Sequence, residues 1–201
     1  MRILAVGGAG TIGRKLVPAL RSRGHEVVVA GRESGEVHVD LASPETVEDM
    51  YRQVGAVDGV VSIAAHGALD EFRSLTSADL LDNMRAKFFG QVDLVLTGQR
   101  HCADGASFTL TSGIFADEAW PGVTGGGVIN AALHGFVLSA AVELPRGMRI
   151  NVVSPTMIGD SVEAFAEHFP GMRPVPMDDL VEHYLSCVEG EGTGHIVRAY
   201  G

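Results

Sequence analysis

The run Gly7-Gly8-Ala9-Gly10-Thr11-Ile12-Gly13 follows the apolar stretch Ile3-Leu4-Ala5-Val6 directly and leads into a helical pattern from Lys15 to Arg23. A strand, a turn almost free of side chains and a helix N-terminus, in that order, make up the opening unit of a phosphate-binding α/β fold. The first glycine permits a tight turn, the middle ones let phosphates approach the backbone, and the last lets helix and strand pack closely. Glycines 7, 10 and 13 fit G-x-x-G-x-x-G, while 8, 10 and 13 fit G-x-G-x-x-G. Gly7, Gly10, Thr11, Ile12 and Gly13 are therefore expected to hold a pyrophosphate. The plainer alternative is a glycine-rich turn with no ligand.

The rest of the chain keeps the same rhythm. Apolar runs at Val27–Ala30, Val37–Val39, Val57–Ile63, Ser107–Thr111, Arg149–Val153 and His195–Val197 alternate with helix-length segments at 11–23, 44–54, 77–101, 126–144, 160–168 and 177–188. Continuous rather than alternating apolar runs mean strands buried on both faces, as in a parallel sheet between helices. Ser43 and Pro44 form a cap-plus-N1 pair, and Pro18 is expected to kink the first helix. Over 201 residues this predicts one Rossmann domain, a doubly wound α/β fold with a parallel sheet of about seven strands and helices on both faces. Ligands are expected beyond the carboxyl ends of the strands.

Charge and cysteine use exclude several partners. A net charge of −10 without clustered Lys or Arg argues against nucleic acid and against an anionic membrane. The apolar runs are strand-sized, so no membrane span is expected, and the early strand and turn leave no room for a signal peptide. Cys102 and Cys187 stand alone, which predicts no disulfide and fits a cytoplasmic protein. No His or Cys pair has metal-ligand spacing, so no metal is expected.

The end of the second strand reads on the cofactor. An NAD site usually places an acid there to grip the ribose diol. Here Gly31 takes that place, followed by Arg32, with Ser34 two residues on. A guanidinium fork beside a small residue, with an added hydroxyl, suits the 2′-phosphate of NADP(H). Glu33 can instead take a ribose hydroxyl, as in NAD(H). Asp40 is placed either to accept from an adenine amino group or to cap the helix beginning at Pro44. Ala64 and Ala65, after the fourth strand, are small enough for a cofactor ribose to lie along the backbone.

Six features in order resemble the short-chain dehydrogenase/reductase superfamily over essentially the whole chain: the glycine turn, Gly31-Arg32, Val39-Asp40-Leu41, the strand ending in Ser112, Asn130-Ala131-Ala132-Leu133 and Arg149 to Pro155. The resemblance implies the Rossmann fold, a nicotinamide cofactor, and a catalytic serine, tyrosine, lysine and asparagine. On that registration Ser112 matches the serine. Gly126 falls at the tyrosine, Asn130 at the lysine four residues on, and Lys87, in Lys87-Phe88-Phe89-Gly90, at the asparagine. Lys87…Gly90-Gln91, Thr111-Ser112-Gly113-Ile114 and Glu143-Leu144-Pro145 are similar to a small subgroup that lacks the usual catalytic residues. The superfamily also implies a homodimer or homotetramer built on the two long helices, for which Gly90, Ala131, Ala132, Gly135, Ala140 and Ala141 offer close-approach faces.

Hydride transfer to a carbonyl needs a held donor and an acid for the developing alkoxide. Lys87 is the leading acid, since burial would draw its pKa toward neutrality; a solvated or interface lysine is the alternative. Ser112 can polarise the carbonyl, or be a strand-end hydroxyl satisfied by backbone, and Asn130 can hydrogen-bond the nicotinamide ribose. His66 can act as acid near pH 7 or be a loop residue, whereas His134 is expected to face a helix interface. Phe165, Phe169 and Trp120 are expected around an apolar substrate pocket. Three functions remain open: an NADP(H)-dependent oxidoreductase acting on a small carbonyl or alcohol, a non-redox enzyme on the same fold, and a silent NADP(H)-binding sensor or scaffold.

Overall fold

All seven apolar runs become strands in the computed structural model, which describes residues 1–64, 72–158 and 168–201. They are β1 (Arg2–Val6), β2 (Glu26–Gly31), β3 (Val37–His38), β4 (Gly59–Ser62), β5 (Ser107–Thr111), β6 (Arg149–Pro155) and β7 (Ile196–Ala199). The sheet is parallel throughout, in the order β3-β2-β1-β4-β5-β6-β7. The chain winds outward from β1 to β3 and then returns to place β4 on the other side of β1. A crevice must open at that reversal, at the carboxyl ends of β1 and β4.

Helices α1 (Gly13–Ser22), α2 (Pro44–Val54), α3 (Ser77–Met84), α4 (Gly90–His101), α5 (Thr124–Ala140) and α6 (Met177–Glu189) cover the sheet. A π-helical turn, Arg85–Phe89, joins α3 to α4, and a 3₁₀ turn, Ile114–Ala116, follows β5. Alternation along β1 explains the two layers. Leu4 and Val6 pack with Met50, Leu94 and Leu133 of α2, α4 and α5, whereas Ile3 and Ala5 pack with Leu16, Leu20 and Tyr184 of α1 and α6. Burial on both faces is why these strands are apolar without a break.

Several boundaries differ from the sequence reading. The single helix expected over 77–101 is two α-helices separated by the π turn. The helix expected over 126–144 stops at Ala140, where Glu143 and Leu144 both donate back to the Ala140 carbonyl. Pro145 disfavours helical geometry at Leu144, which accounts for the early stop. Helix α1 runs unbroken through Pro18. Ser43 does sit at the N-cap of α2, but its hydroxyl donates to Glu45 (3.0 Å) rather than capping the helix. Ala65, His66, Phe165 and the segment 160–167 lie outside the described residues.

Close packing depends on small residues where α4 crosses the sheet. A Cβ at Gly98 would lie 2.5 Å from the Tyr51 hydroxyl and 2.7 Å from the Phe108 ring. The fully buried Tyr51 donates to the Leu94 carbonyl at 2.7 Å. Tyr51→Phe keeps the ring and removes only the hydroxyl, which meets the Leu94 carbonyl and the Cys102 thiol, so we expect a loss of about 1 kcal/mol. A lowered urea midpoint with an unchanged slope would register it. Gly90, expected on a face between subunits, is instead used within the chain: a Cβ there would run into the Leu41 carbonyl.

Candidate functional site

The glycine turn is a tight cradle. Gly7 has φ +85°, donates to Ala30 (2.8 Å) and accepts from Gly10 (3.0 Å). A Cβ on Gly7 would lie 2.6 Å from the Ala64 amide nitrogen, and one on Gly13 would run into the Gly8 backbone. No side chain caps α1, and the amides of Thr11, Ile12 and Gly13 donate to no group among the described residues. Uncapped amides at a helix start, reached over a bare backbone, suit a phosphate anion.

Beside this turn lies a cleft of about 540 Å³ at the carboxyl ends of the strands. The turn lines it with Gly7, Gly10, Thr11 and Ile12, the β2 end with Gly31, Arg32 and Ser34, and the β4 end with Ala64. Thr111 and Ser112 line it from β5. Gly31 is required by the turn itself, since a Cβ there would meet the Ser34 carbonyl. The Arg32 side chain is 69% exposed, with a loose 3.4 Å ion pair to Glu33, so it can turn to a ligand at little cost. Asp40 is not brought to the cleft. Its carboxylate accepts from the Ala42 amide (3.0 Å), two residues on, in a local turn, and it does not cap α2 either, since Ser43 holds the N-cap and no side chain bonds the free amides there.

At the β5 end a buried carboxamide ties helix to strand. Gln91 Oε1 accepts from the Thr111 amide (2.8 Å), and its Nε2 donates to the carbonyls of Thr111 (2.9 Å) and Lys87 (2.7 Å). The π turn is thereby pinned to the strand end that carries Ser112. Turns of this kind leave carbonyls outside the regular ladder and recur at functional sites. Lys87 at its centre is only 8% exposed, which rules out a solvated lysine. Its ammonium has no hydrogen-bond or ion-pair partner among the described residues, and burial pushes its pKa down to about 8.

Helix α5 supplies two more groups, one turn apart. Asn130 is buried against Gly113, where a Cβ would lie 3.0 Å from its Nδ2, and its Oδ1 has no partner among the described residues. His134 does not face a helix interface as expected. Its Nε2 lies 2.8 Å from Ser112 Oγ, so the serine hydroxyl is satisfied by imidazole rather than by backbone. Burial is the main reason the His134 pKa falls below the usual histidine value. Asp117 opposes the shift and Arg198 reinforces it. Asp117 is itself held low by hydrogen bonds from Arg198 Nε (2.8 Å) and Tyr200 (2.6 Å).

An aromatic group stands nearby. The Phe169 ring lies 5.2 Å from Phe115 and 5.9 Å from Trp120, and a Cβ at Gly126 would touch the Phe115 ring at 3.8 Å. The three tyrosines, Tyr51, Tyr184 and Tyr200, do not line the cleft. Among the described residues no His, Cys, Asp or Glu cluster suits a metal, and no helix is long and apolar enough to cross a membrane.

Residues 7–176 match the family profile described as enoyl-(acyl carrier protein) reductase. The chain belongs to the short-chain dehydrogenase/reductase superfamily. The protein lin1944 from Listeria innocua is 36% identical, with 100% of both chains covered and a TM-score of 0.96. A small-chain dehydrogenase solved with NADPH is 24% identical over 98% of this chain and 95% of that one, with a TM-score of 0.85. BdcA, solved with NADPH, is 20% identical over 100% of this chain and 94% of that one, with a TM-score of 0.83. At those identities the last two show the fold alone. No curated protein matches the chain. Within this superfamily member, His134 and Gln91 are the residues whose roles the sequence reading missed. The i,i+4 spacing of Asn130 and His134 was visible, but α5 is apolar nearly all round, so no amphipathic stripe marked which side met β5.

Proposed function

We propose that the protein is an NADP(H)-dependent oxidoreductase acting on a small carbonyl or alcohol through a non-standard active site. One observation carries this reading: a single cleft runs from Arg32 and Ser34, past the glycine turn, to Ser112. The cradle fits the cofactor, since side chains at Gly7 and Gly13 would clash with the backbone that shapes it, and the helix start, with no side-chain cap, offers its amides to a pyrophosphate. Arg32 and Ser34 would hold the 2′-phosphate, and Ala64 the adjoining ribose. The NADPH carried by two structures of the same fold supports the choice. When bound, the dinucleotide supplies or accepts a hydride at the Ser112 end.

There the chain's own groups divide the work. Ser112 hydrogen-bonds the substrate oxygen, and Lys87 offsets the charge that develops on it. Asn130, whose buried Oδ1 has no partner among the described residues, hydrogen-bonds the nicotinamide ribose in place of the superfamily's lysine. Phe115, Trp120 and Phe169 exclude water from the substrate side. We place the protein in the cytoplasm as a homodimer or homotetramer. The exposed Leu96, Leu138 and Val142 on or just after the long helices favour assembly there.

Fluorescence titration with NADPH and NADH tests the cofactor. Losing a charge-assisted contact costs about 1.5–3 kcal/mol, so Arg32→Ala should weaken NADPH binding about 10- to 100-fold and leave NADH nearly unchanged. Equal affinity for the two dinucleotides in the wild type would overturn the NADP(H) assignment.

A further inference from the structure

We infer that His134 is the proton carrier behind Ser112, taking the place of a tyrosine in acid–base chemistry. The inference rests on the oxidoreductase reading above and deepens it. It starts from a buried polar pair: Ser112 and His134 are 3% and 7% exposed, and a 2.8 Å hydrogen bond joins Oγ to Nε2. Of the two, only Ser112 lines the cleft, so the imidazole lies behind the hydroxyl that meets the substrate. A serine hydroxyl alone is too weak an acid or base to carry a proton near neutral pH. Hydrogen-bonded to an imidazole, it can pass one on as it receives another.

For alcohol oxidation the step balances as follows. The substrate O–H proton moves to Ser112 Oγ while the Ser112 proton moves to His134 Nε2. The substrate C–H hydride leaves to the oxidised nicotinamide, and the carbonyl forms. His134 becomes imidazolium and returns the proton to solvent. The reverse order serves reduction. His134 is a positioning residue in this scheme, because it meets the reacting atoms only through Ser112.

Its surroundings fit a group that cycles its charge. The ionised Asp117, after the 3₁₀ turn, favours the imidazolium, whereas Arg198 of β7 and burial oppose it. Arg198 and Tyr200 both bond Asp117 and hold its carboxylate in place. Of the other elements packed on α5, the π turn brings Lys87, and α3 brings Asp79 and Asp82, which are tied to Thr76 and Arg85. Strand β6 brings Arg149, which donates to the carbonyls of Cys187, Val188 and Gly192.

Two measurements test the inference. Histidine-labelled protein is titrated by NMR, and the pH profile of kcat is recorded for alcohol oxidation with NADP+. One ring should titrate below the usual histidine range, vanish in His134→Gln and move upward in Ser112→Ala, because the serine donates to the neutral ring. Wild-type kcat should fall below that same pH. In His134→Gln it should drop about a hundredfold and lose the inflection, with NADPH affinity unchanged. A ring titration indifferent to Ser112→Ala, or a wild-type profile in His134→Gln, overturns the inference alone. Wild-type protein that binds NADPH but turns over no alcohol or carbonyl in a broad panel overturns the oxidoreductase reading, and this inference with it.

Discussion

Lys87→Met should stabilise the protein by about 3 kcal/mol at pH 7 and slow turnover by about a hundredfold or more. Lys87 is one of two lysines in the chain, the other being Lys15. The structure buries it without a partner among the described residues, so its charged form is held against the fold. Its pKa falls from 10.5 to about 8, and each tenfold change in that equilibrium is about 1.4 kcal/mol. Methionine matches the length of the stem and carries no charge, so the penalty disappears. Between pH 8 and 10.5 the unfolded chain binds more protons than the folded one, and wild-type stability should rise with pH across that window. Below it the penalty is present in full. Burial raises the Cys102 and Cys187 thiols to about 12 and about 11, which makes stability fall with pH. Both variants share that trend, so the difference between their urea midpoints at pH 7 and pH 10 isolates Lys87. A less stable Lys87→Met would show that the amine is paired rather than stranded. A stabilised but inactive variant is the signature of a residue kept for chemistry.

Gly13→Ala and Gly7→Ala are expected to abolish nucleotide binding, lowering affinity by more than about a hundredfold. The added methyl of the first meets the Gly8 backbone, which cannot swing aside as a side chain can. At Gly7 the methyl lies 2.6 Å from the Ala64 amide, and φ +85° strains any L-residue. Left-handed backbone costs about 1–2 kcal/mol and overpacking about 1–3 kcal/mol. Gly7→Ala, which carries both costs, should therefore destabilise the fold by about 2–5 kcal/mol, and Gly13→Ala, which carries only the second, by about 1–3 kcal/mol, measurable by thermal unfolding. Retained NADPH binding in either variant would mean that the ligand does not lie on this turn.

Much of this is legible in the sequence. The seven apolar runs named the seven strands, because a strand buried on both faces leaves no alternative pattern. Gly7, Gly10 and Gly31 announced the cleft they line, because close backbone approach and, at Gly7, positive φ are local demands that only glycine meets. Ser112, Lys87 and Asn130 came from the superfamily resemblance; in the structure they sit just after β5, in the π turn and on α5, and of the three only Ser112 lines the cleft. What stayed hidden was of another kind. The π turn left no mark in a helix that reads as continuous from Ser77 to His101, and Asp40, read as a ligand contact or a helix cap, instead closes a local turn with Ala42.

Periodicity and glycine placement are properties of neighbours along the chain. They decided the parallel sheet, the crevice beside β1 and the tight glycine turn without reference to anything distant. The partnership of Ser112 with His134 joins residues 22 apart in sequence, and Gln91 reaches 20 residues to Thr111. Burial of Lys87 likewise depends on how the π turn sits against the sheet and α5. Such contacts depend on how whole helices dock and rotate on the sheet, and only the packed core selects that rotation.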